Sequence, residues 1–169
     1  SFRPQEEEGR EVRLRARNDL LHVDSFPTRP TEGDRILRFF TNINPDQHRS
    51  WLTADPFPQL IQYLQGKGSL PSHLLAAPGV ATQVARSLKM QLRKLGISVR
   101  VGSSYDDFML RLHHYLKENQ SLLSDFPTYS WEFPSGSSWL VFTDIVPHAA
   151  LSGRFALEQT LIISHGAQV

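Results

Sequence analysis

Two residues whose side chains commonly bind metal ions lie two positions apart near the start of the chain. His22 and Asp24 belong to the stretch LLHVDSFPTRP, residues 20–30, which begins with apolar residues and ends in a loop with two prolines. In an extended strand, residues i and i+2 project from the same face, so an imidazole nitrogen and a carboxylate oxygen can approach one cation. A third ligand must come from elsewhere, and the candidate is His148 in the stretch TDIVPHAALSG.

Two histidines and one carboxylate form the facial triad of non-haem Fe(II) oxygenases, which leaves coordination positions open for co-substrate and O₂. The same residues also have a purely structural interpretation. In that case His22 ends a strand, Asp24 caps a turn and His148 is a loop residue after Pro147. The His-x-Asp spacing alone leaves both interpretations open.

The composition is that of one globular domain with a single core, at 169 residues, 40% hydrophobic and 21% charged. The absence of cysteine excludes a disulfide framework, a thiolate nucleophile and a zinc–thiolate site, which is consistent with the cytosol. A net charge of +1 gives no overall attraction to nucleic acid, and we expect none as a partner. The first residues, SFRPQEEEGR, contain no signal peptide and begin abruptly, so we expect an upstream segment to be missing.

The hydrophobic pattern predicts strands at both ends of the chain and helices between them. Alternation predicts strands over 10–17 and in DLLHVDSF, RILRFFTNINP and RFALEQTLIIS, with Ile36, Arg38, Phe40 and Asn42 sharing one face of the third. TYSWEFPSGSSWLVFTD is predicted to form two strands joined by a hairpin turn at 134–136. Three amphipathic helices are predicted between about 55 and 125, the last capped by Ser103 or Ser104. We therefore expect a mainly β antiparallel sandwich or jelly roll with a helical insertion.

Two long stretches, HVDSFPTRPTEGDRILRFFTNINPD and FPSGSSWLVFTDIVPHAALSGRFALEQT, resemble the Kdo 3-hydroxylases of Gram-negative bacteria. This family belongs to the Fe(II)- and 2-oxoglutarate-dependent dioxygenases. The resemblance implies a double-stranded β-helix (jelly-roll, cupin-like) core, with residues 1–169 forming a single dioxygenase domain. It implies hydroxylation at C3 of 3-deoxy-D-manno-oct-2-ulosonic acid (Kdo) in the lipid A inner core, while 2-oxoglutarate and O₂ become succinate and CO₂. It also implies a cytoplasmic location, with peripheral contact at the inner membrane.

The resemblance assigns roles to individual residues. His22, Asp24 and His148 match the iron ligands, and Arg29, just after the first motif, is placed to meet an acidic sugar. The distal carboxylate of 2-oxoglutarate needs a cation, which in the broader superfamily is usually an arginine on the last strand. The corresponding positions here, 157–159, are Leu, Glu and Gln. We therefore expect that arginine to be one of two others, either Arg38, with Asn42 as a second polar contact on the same face, or Arg154.

Arg38 is the favoured choice, because an arginine between Ile36 and Phe40 on a core face needs an anion. The other interpretations are ordinary surface positions, a member of an ion pair for Arg38 and a solvated strand start for Arg154. We assign no metal-binding role to the adjacent pair His113 and His114, since neighbouring helical positions point about 100° apart. The remaining histidines without an assigned role are His48, His73 and His165.

The second predicted helix combines an apolar stripe with four basic residues, Arg86, Lys89, Arg93 and Lys94. Such a helix can lie on an anionic membrane surface, or its basic residues can simply form a solvated face. Two further functions remain open for the whole chain. One is a dioxygenase of the same fold acting on another substrate, as prolyl hydroxylases do, and the other is a non-catalytic jelly-roll binding module.

Overall fold

The computed structural model describes residues 1–26 and 28–164, so that Pro27 and His165 lie outside the described residues. Seven strands and four α-helices follow one another along the chain. Their bounds are β1 (Phe2–Arg3), β2 (Arg35–Asn42), β3 (Arg49–Ala54), α1 (Phe57–Gly66), α2 (Ser72–Leu75), α3 (Val80–Lys94), α4 (Ser104–Glu118), β4 (Thr128–Phe133), β5 (Ser138–Phe142), β6 (His148–Ser152) and β7 (Ala156–Ile163). Two short 3₁₀ turns complete the order, at Leu14–Ala16 and Gln120–Leu123.

The strands form two antiparallel sheets, and the helices lie between β3 and β4 in sequence. One sheet has the order β1-β7-β2-β5 and the other β4-β3-β6. Aromatic residues from both sheets meet between them, with the Phe40 ring 4.8 Å from Trp51 and Phe133 stacked on Trp139 at 3.8 Å. The predicted mainly β jelly-roll sandwich with a helical insertion is therefore confirmed.

A second core fixes the segment that carries the first two candidate ligands. Leu21 and Val23 are buried among apolar residues of α1 and α4, such as Leu60, Leu112 and Leu116. Because side chains alternate along an extended chain, His22 and Asp24 project away from this helical core. No helix among the described residues is long and apolar enough to cross a bilayer.

Strand β2 agrees with the sequence pattern, since Ile36, Arg38, Phe40 and Asn42 are buried while the alternate positions are more open. The strand predicted over 10–17 is wrong. Within the described chain no strand pairs with this segment, and its backbone bonds locally, as Ala16 N–H donates to Arg13 O at 2.7 Å. Its arginines instead form ion pairs outside the sheets, Arg10 with Glu7, Arg15 with Glu118 and Arg17 with Asp19.

The hairpin predicted at 134–136 is also wrong. Strand β4 pairs with β3 and strand β5 pairs with β2, so the turn carries the chain from one sheet to the other. Gly136, at φ 78°, donates its N–H to Asn42 O across this crossing. The sequence prediction did not identify β3, α2 or β6, and His148 begins β6 instead of ending the preceding strand.

Candidate metal centre

Backbone pairing brings the three candidate ligands together. His22 and His148 form an antiparallel bridge, in which each backbone N–H donates to the carbonyl of the other at 3.0 and 2.8 Å. Asp24 N–H donates to Thr143 O at 2.8 Å. This bond fixes Asp24, the next residue on the same face as His22, against the segment that precedes His148. One ligand atom from each of His22, Asp24 and His148 lies within 4.8 Å of the others, and all three residues are buried.

The hydrogen bonds of both histidines select the form that binds metal. His22 Nδ1 lies 2.7 Å from Leu20 O and His148 Nδ1 lies 3.0 Å from Val146 O. A carbonyl oxygen only accepts, so each Nδ1 carries the proton and donates it. Burial lowers the pKa of both imidazoles below the ordinary value, well below it for His22. The rings are therefore neutral at pH 7, and each Nε2 has a free lone pair for a metal ion.

Asp24 is held in its charged form by an arginine. Burial is the largest single effect and by itself would raise the pKa of this carboxyl, but the positive charge of Arg38 and smaller contributions from its other polar neighbours together outweigh it, and the pKa lies below its ordinary value. Arg38 Nε is 2.9 Å from Asp24 Oδ2, in an ion pair that lacks hydrogen-bond alignment. The second partner of Arg38 is Glu158 on β7, at 3.3 Å. The anion that the sequence pattern required for Arg38 is thus supplied by two carboxylates of the chain itself.

The three residues fit a divalent transition metal. Two imidazole nitrogens and one carboxylate are the donor set that such ions accept with coordination positions left over. Asp24 Oδ2 is turned to Arg38, whereas Asp24 Oδ1 lies 3.9 Å from His22 Nε2. A cation between the three side chains would be held by this carboxylate and both Nε2 atoms.

A cavity of about 210 Å³ opens beside the three residues. Its wall carries five cationic side chains and one carboxylate, that of Asp24. The cations are Arg3, Arg15, Arg38, Arg49 and Lys117. Such an excess of positive charge in a partly enclosed space favours an anionic ligand.

Arg49 is a site residue that the sequence reasoning missed. It is buried on β3, donates from Nη1 to Gly153 O at 2.7 Å and lies 3.7 Å from Glu7, while its Nε has no hydrogen-bond partner among the described residues. Gly153 has φ 111°, and a Cβ there would lie 2.9 Å from Arg49 Cα, so only glycine allows this approach. The one available signal is an arginine two positions before a tryptophan in RSWLTA. The same pattern is also typical of a solvent-exposed edge strand, so it does not by itself indicate a site residue.

Two of the expected 2-oxoglutarate contacts are not at the cavity. Asn42 is buried, and its amide group already makes three hydrogen bonds, donating to Gln47 O and Phe133 O and accepting from Asn44 N–H. Arg154 is exposed and lies over the Phe155 ring at 5.1 Å. Neither residue lines the cavity, since both amide N–H donors of Asn42 are already used and Arg154 is exposed elsewhere, so the structure does not favour either as a 2-oxoglutarate contact.

Other predicted residues lie near the centre in different ways. Arg29 is exposed in the loop after Asp24, where its role in substrate binding stays a prediction. His113 on α4 lines the cavity, with its ring edge-on to His22 at 5.2 Å, a position that no sequence pattern predicts. Lys117, one turn further along α4, is buried and donates to Arg15 O at 2.9 Å, and burial lowers its pKa to about 8.

A jelly roll that carries two histidines and one carboxylate at the mouth of a cation-lined cavity has the site of a non-haem metal oxygenase. The comparisons with known proteins define the family. Residues 1–169 match the family model of 3-deoxy-D-manno-oct-2-ulosonic acid (Kdo) hydroxylase, and the chain therefore belongs to the Kdo hydroxylase family. No curated protein matches the chain.

Similar solved structures include the Kdo hydroxylase KdoO, a non-haem Fe(II) α-ketoglutarate-dependent dioxygenase. One is a complex with α-ketoglutarate and Fe(III), at 40% identity and a TM-score of 0.77, covering 99% of this chain and 53% of that chain. A second contains cobalt(II), at 40% identity, a TM-score of 0.77 and coverage of 99% and 52%. A third contains succinate and Fe(III), at 40% identity, a TM-score of 0.76 and the same coverage of 99% and 52%. The chain thus spans about half the length of the structures it matches.

Proposed function

We propose that this chain carries the iron and 2-oxoglutarate sites of a dioxygenase that hydroxylates Kdo at C3 in the lipid A inner core. The observation that carries the proposal is the buried cluster of His22, Asp24 and His148, in which both histidines are neutral and the carboxylate is charged. Membership of the Kdo hydroxylase family supports the substrate. The KdoO structures with Fe(III), α-ketoglutarate and succinate support the cofactor and co-substrate.

The protein's contribution is to hold the metal and keep its surroundings dry. His22, Asp24 and His148 would supply two nitrogens and one oxygen to Fe(II), which when bound supplies the activation of O₂ for C–H hydroxylation. The hydrogen bonds of His22 and His148 to backbone carbonyls fix the orientations of both rings before a metal binds. Arg38 keeps Asp24 ionised, and the Trp51 ring stacks on His148 at 5.4 Å, which covers one side of the centre.

Arg49 is the residue we assign to the distal carboxylate of 2-oxoglutarate. It precedes Trp51 by two positions on β3, so both project to the cavity, about 6–7 Å apart along the strand. Trp51 contacts the candidate metal ligand His148, so Arg49 lies on the same face of β3 but further from the metal centre. Arg38 also lines the cavity, but its charge is shared by Asp24 and Glu158. Arg49 has one ion pair, to Glu7 at 3.7 Å, so its charge is less neutralised than that of Arg38, and its fork can pair with a carboxylate through two parallel bonds.

The remaining cations suit an acidic sugar. Arg15 and Lys117 lie on the cavity wall, and Arg29 lies in the adjoining loop, where it can meet the carboxylate of Kdo. The proposed substrate is lipid-linked, so the proposed location is the cytoplasmic surface of the inner membrane of a Gram-negative bacterium, with peripheral contact. These assignments rest on charge and position, and each can be tested by substitution.

The test is 2-oxoglutarate consumption and succinate formation with Fe(II) and ascorbate, with and without Kdo-containing lipid A. We expect this substrate to stimulate 2-oxoglutarate turnover in the unmodified chain. In His22→Ala, turnover should fall to background and Co(II) binding, monitored by absorption spectroscopy, should be lost. The control is His73→Ala, which removes an exposed histidine on α2 and should retain both signals. Unchanged turnover in His22→Ala would overturn the metal assignment, and stimulation by another acceptor alone would overturn the substrate.

A further inference from the structure

Helix α3 is attached to the rest of the structure by its polar side. None of its residues is buried, and the two partly covered ones are Leu92 and Arg86, whose Nη2 lies 2.9 Å from Asp107 Oδ2 on α4. One further ion pair joins Arg93 to Glu32 at 3.2 Å. No residue of α3 belongs to either apolar core of the described chain. The helix is therefore held by charge rather than by burial of its apolar residues.

The apolar side of the same helix faces outward. Val80, Val84 and Leu88 follow at intervals of four, which places them on one face, and their exposed fractions are 77%, 62% and 61%. Leu95, at the end of the helix, continues this face and is 77% exposed. We call these four residues the α3 stripe. A soluble helix normally turns such a stripe to the core, and an exposed one marks an interaction surface.

The charge of the helix identifies the partner. Residues 80–94 contain Arg86, Lys89, Arg93 and Lys94 and no acidic residue. Lys89 and Lys94 make no ion pair with any residue that the structure describes. Lys94 lies at the edge of the stripe, about 40° round the helix from Val80, whereas Lys89 lies on the far side, about 100° from Leu88. An exposed apolar stripe on a helix whose only charges are basic is typical of helices that lie in the interface of an anionic bilayer.

The position of α3 relative to the metal centre adds a second reason. A cavity of about 570 Å³ lies between α3, α4 and the loop after Asp24, with Arg86, Lys89 and Phe26 on its wall. The guanidinium of Arg38, the partner of Asp24, lies over the Phe26 ring at 5.4 Å. Phe26 thus contacts both the groove beside α3 and the charge partner of a metal-centre residue.

We propose that the α3 stripe docks this chain on an anionic lipid surface and holds the groove beside α3 at the level of the lipid headgroups. The inference deepens the proposed function, on which it rests for its lipid-linked substrate. A second copy of the chain or another protein segment would also cover an apolar stripe. Neither would need Lys89 and Lys94, which no acidic residue of the described chain neutralises, and these two charges favour the bilayer.

The experiment is vesicle flotation of the 169-residue chain with phosphatidylcholine vesicles, with or without phosphatidylglycerol. We expect binding to the mixed vesicles that weakens in high salt, and much weaker binding to phosphatidylcholine alone. The variant Val84→Glu/Leu88→Glu should bind the mixed vesicles at least about tenfold more weakly, because it places two carboxylates in the stripe. The matched single changes are Val84→Glu in the stripe and Gln83→Glu about 100° round the helix from it, which each add one carboxylate, and Gln83→Glu should lose much less binding than Val84→Glu.

Three outcomes would overturn the docking proposal. They are no binding of the unmodified chain to anionic vesicles, equal binding of the Val84→Glu/Leu88→Glu variant, and a dimer in light scattering that this variant dissociates. Iron-dependent 2-oxoglutarate consumption without lipid is measured in the same samples and should be unchanged by the stripe substitutions. If vesicle binding fails while consumption persists, only the docking is wrong. If consumption is absent while binding persists, the proposed function is wrong and the surface stands.

Discussion

Helices α3 and α4 have the same length, 15 residues, and both are amphipathic, but they are oriented in opposite ways. Helix α4 buries Met109, Leu112 and Leu116 against the segment that carries His22 and Asp24. Helix α3 turns Val84 and Leu88 to the outside and its arginines to the protein. Amphipathicity therefore predicts that a helix has an apolar face, but not what that face contacts.

The different orientations explain what each helix does for the site. The inward face of α4 supports the ligand segment, and the same helix brings His113 and Lys117 to the cavity wall. The outward face of α3 contributes nothing to the core and is available for another surface. We therefore expect substitutions on the buried face of α4 to disturb the metal centre, and substitutions in the α3 stripe to leave it intact.

The largest effect is expected from truncating the buried face of α4. Leu112→Ala should lower the free energy of unfolding by about 2–5 kcal/mol, because it leaves a cavity beneath the His22 segment. The matched change on the outward helix, Leu88→Ala, should stay within about 0.5 kcal/mol. Chemical denaturation of both variants measures the difference. An equal loss of unfolding free energy in both variants would mean that α3 also packs its apolar side inward, which would contradict the opposite orientations of the two helices.

Arginines offer the same contrast between inward and outward positions. Arg49→Lys keeps the charge but loses the fork, and we expect it to raise the KM for 2-oxoglutarate by about 10–100-fold with a smaller change in kcat. Arg154→Lys, at an exposed position outside the cavity, should leave the KM for 2-oxoglutarate unchanged. Arg38→Lys should instead weaken Co(II) binding, since Arg38 is the charge partner of Asp24. A KM effect at Arg154 alone would move the co-substrate site.

The buried histidines predict how stability depends on pH in the metal-free protein. The pKa values of His22 and His148 are lowered by burial, so between the folded and the ordinary values the unfolded chain binds more protons. Stability is thus full above about pH 6.5 and falls as the pH drops below it, by up to about 1.4 kcal/mol per histidine for each pH unit. Thermal unfolding of the metal-free chain at pH 7.5 and 5.5 tests this. His22→Gln/His148→Gln should flatten the dependence, and an unaltered slope would contradict it.

The sequence predicted the parts of the fold that have strong local patterns. The alternation of RILRFFTN and the helical periodicity between 57 and 118 were enough to predict β2, α1, α3 and α4. The HxD spacing left the metal site open, and the resemblance to the Kdo hydroxylases was needed to predict that His22, Asp24 and His148 meet. The sequence prediction missed β3 and β6, because short strands such as HAALS are recognisable only from their partners. It missed Arg49 and Lys117 for a similar reason. Their cavity is formed by elements far apart in the chain, and no local spacing marks it.

The smallest effect concerns how the two helices begin. Helix α4 starts with a capping box, in which Ser103 Oγ accepts from Asp106 N–H at 3.1 Å and Asp106 Oδ2 accepts from Ser103 N–H at 2.7 Å. Helix α3 follows Gly79 and has no side-chain cap. Ser103→Ala should therefore destabilise the chain by about 1 kcal/mol, measured by denaturation, whereas Ser104→Ala, one position inside the helix, should cost only a few tenths. A Ser103→Ala variant as stable as Ser104→Ala would show that packing alone, without the cap, holds α4 beneath the ligand segment.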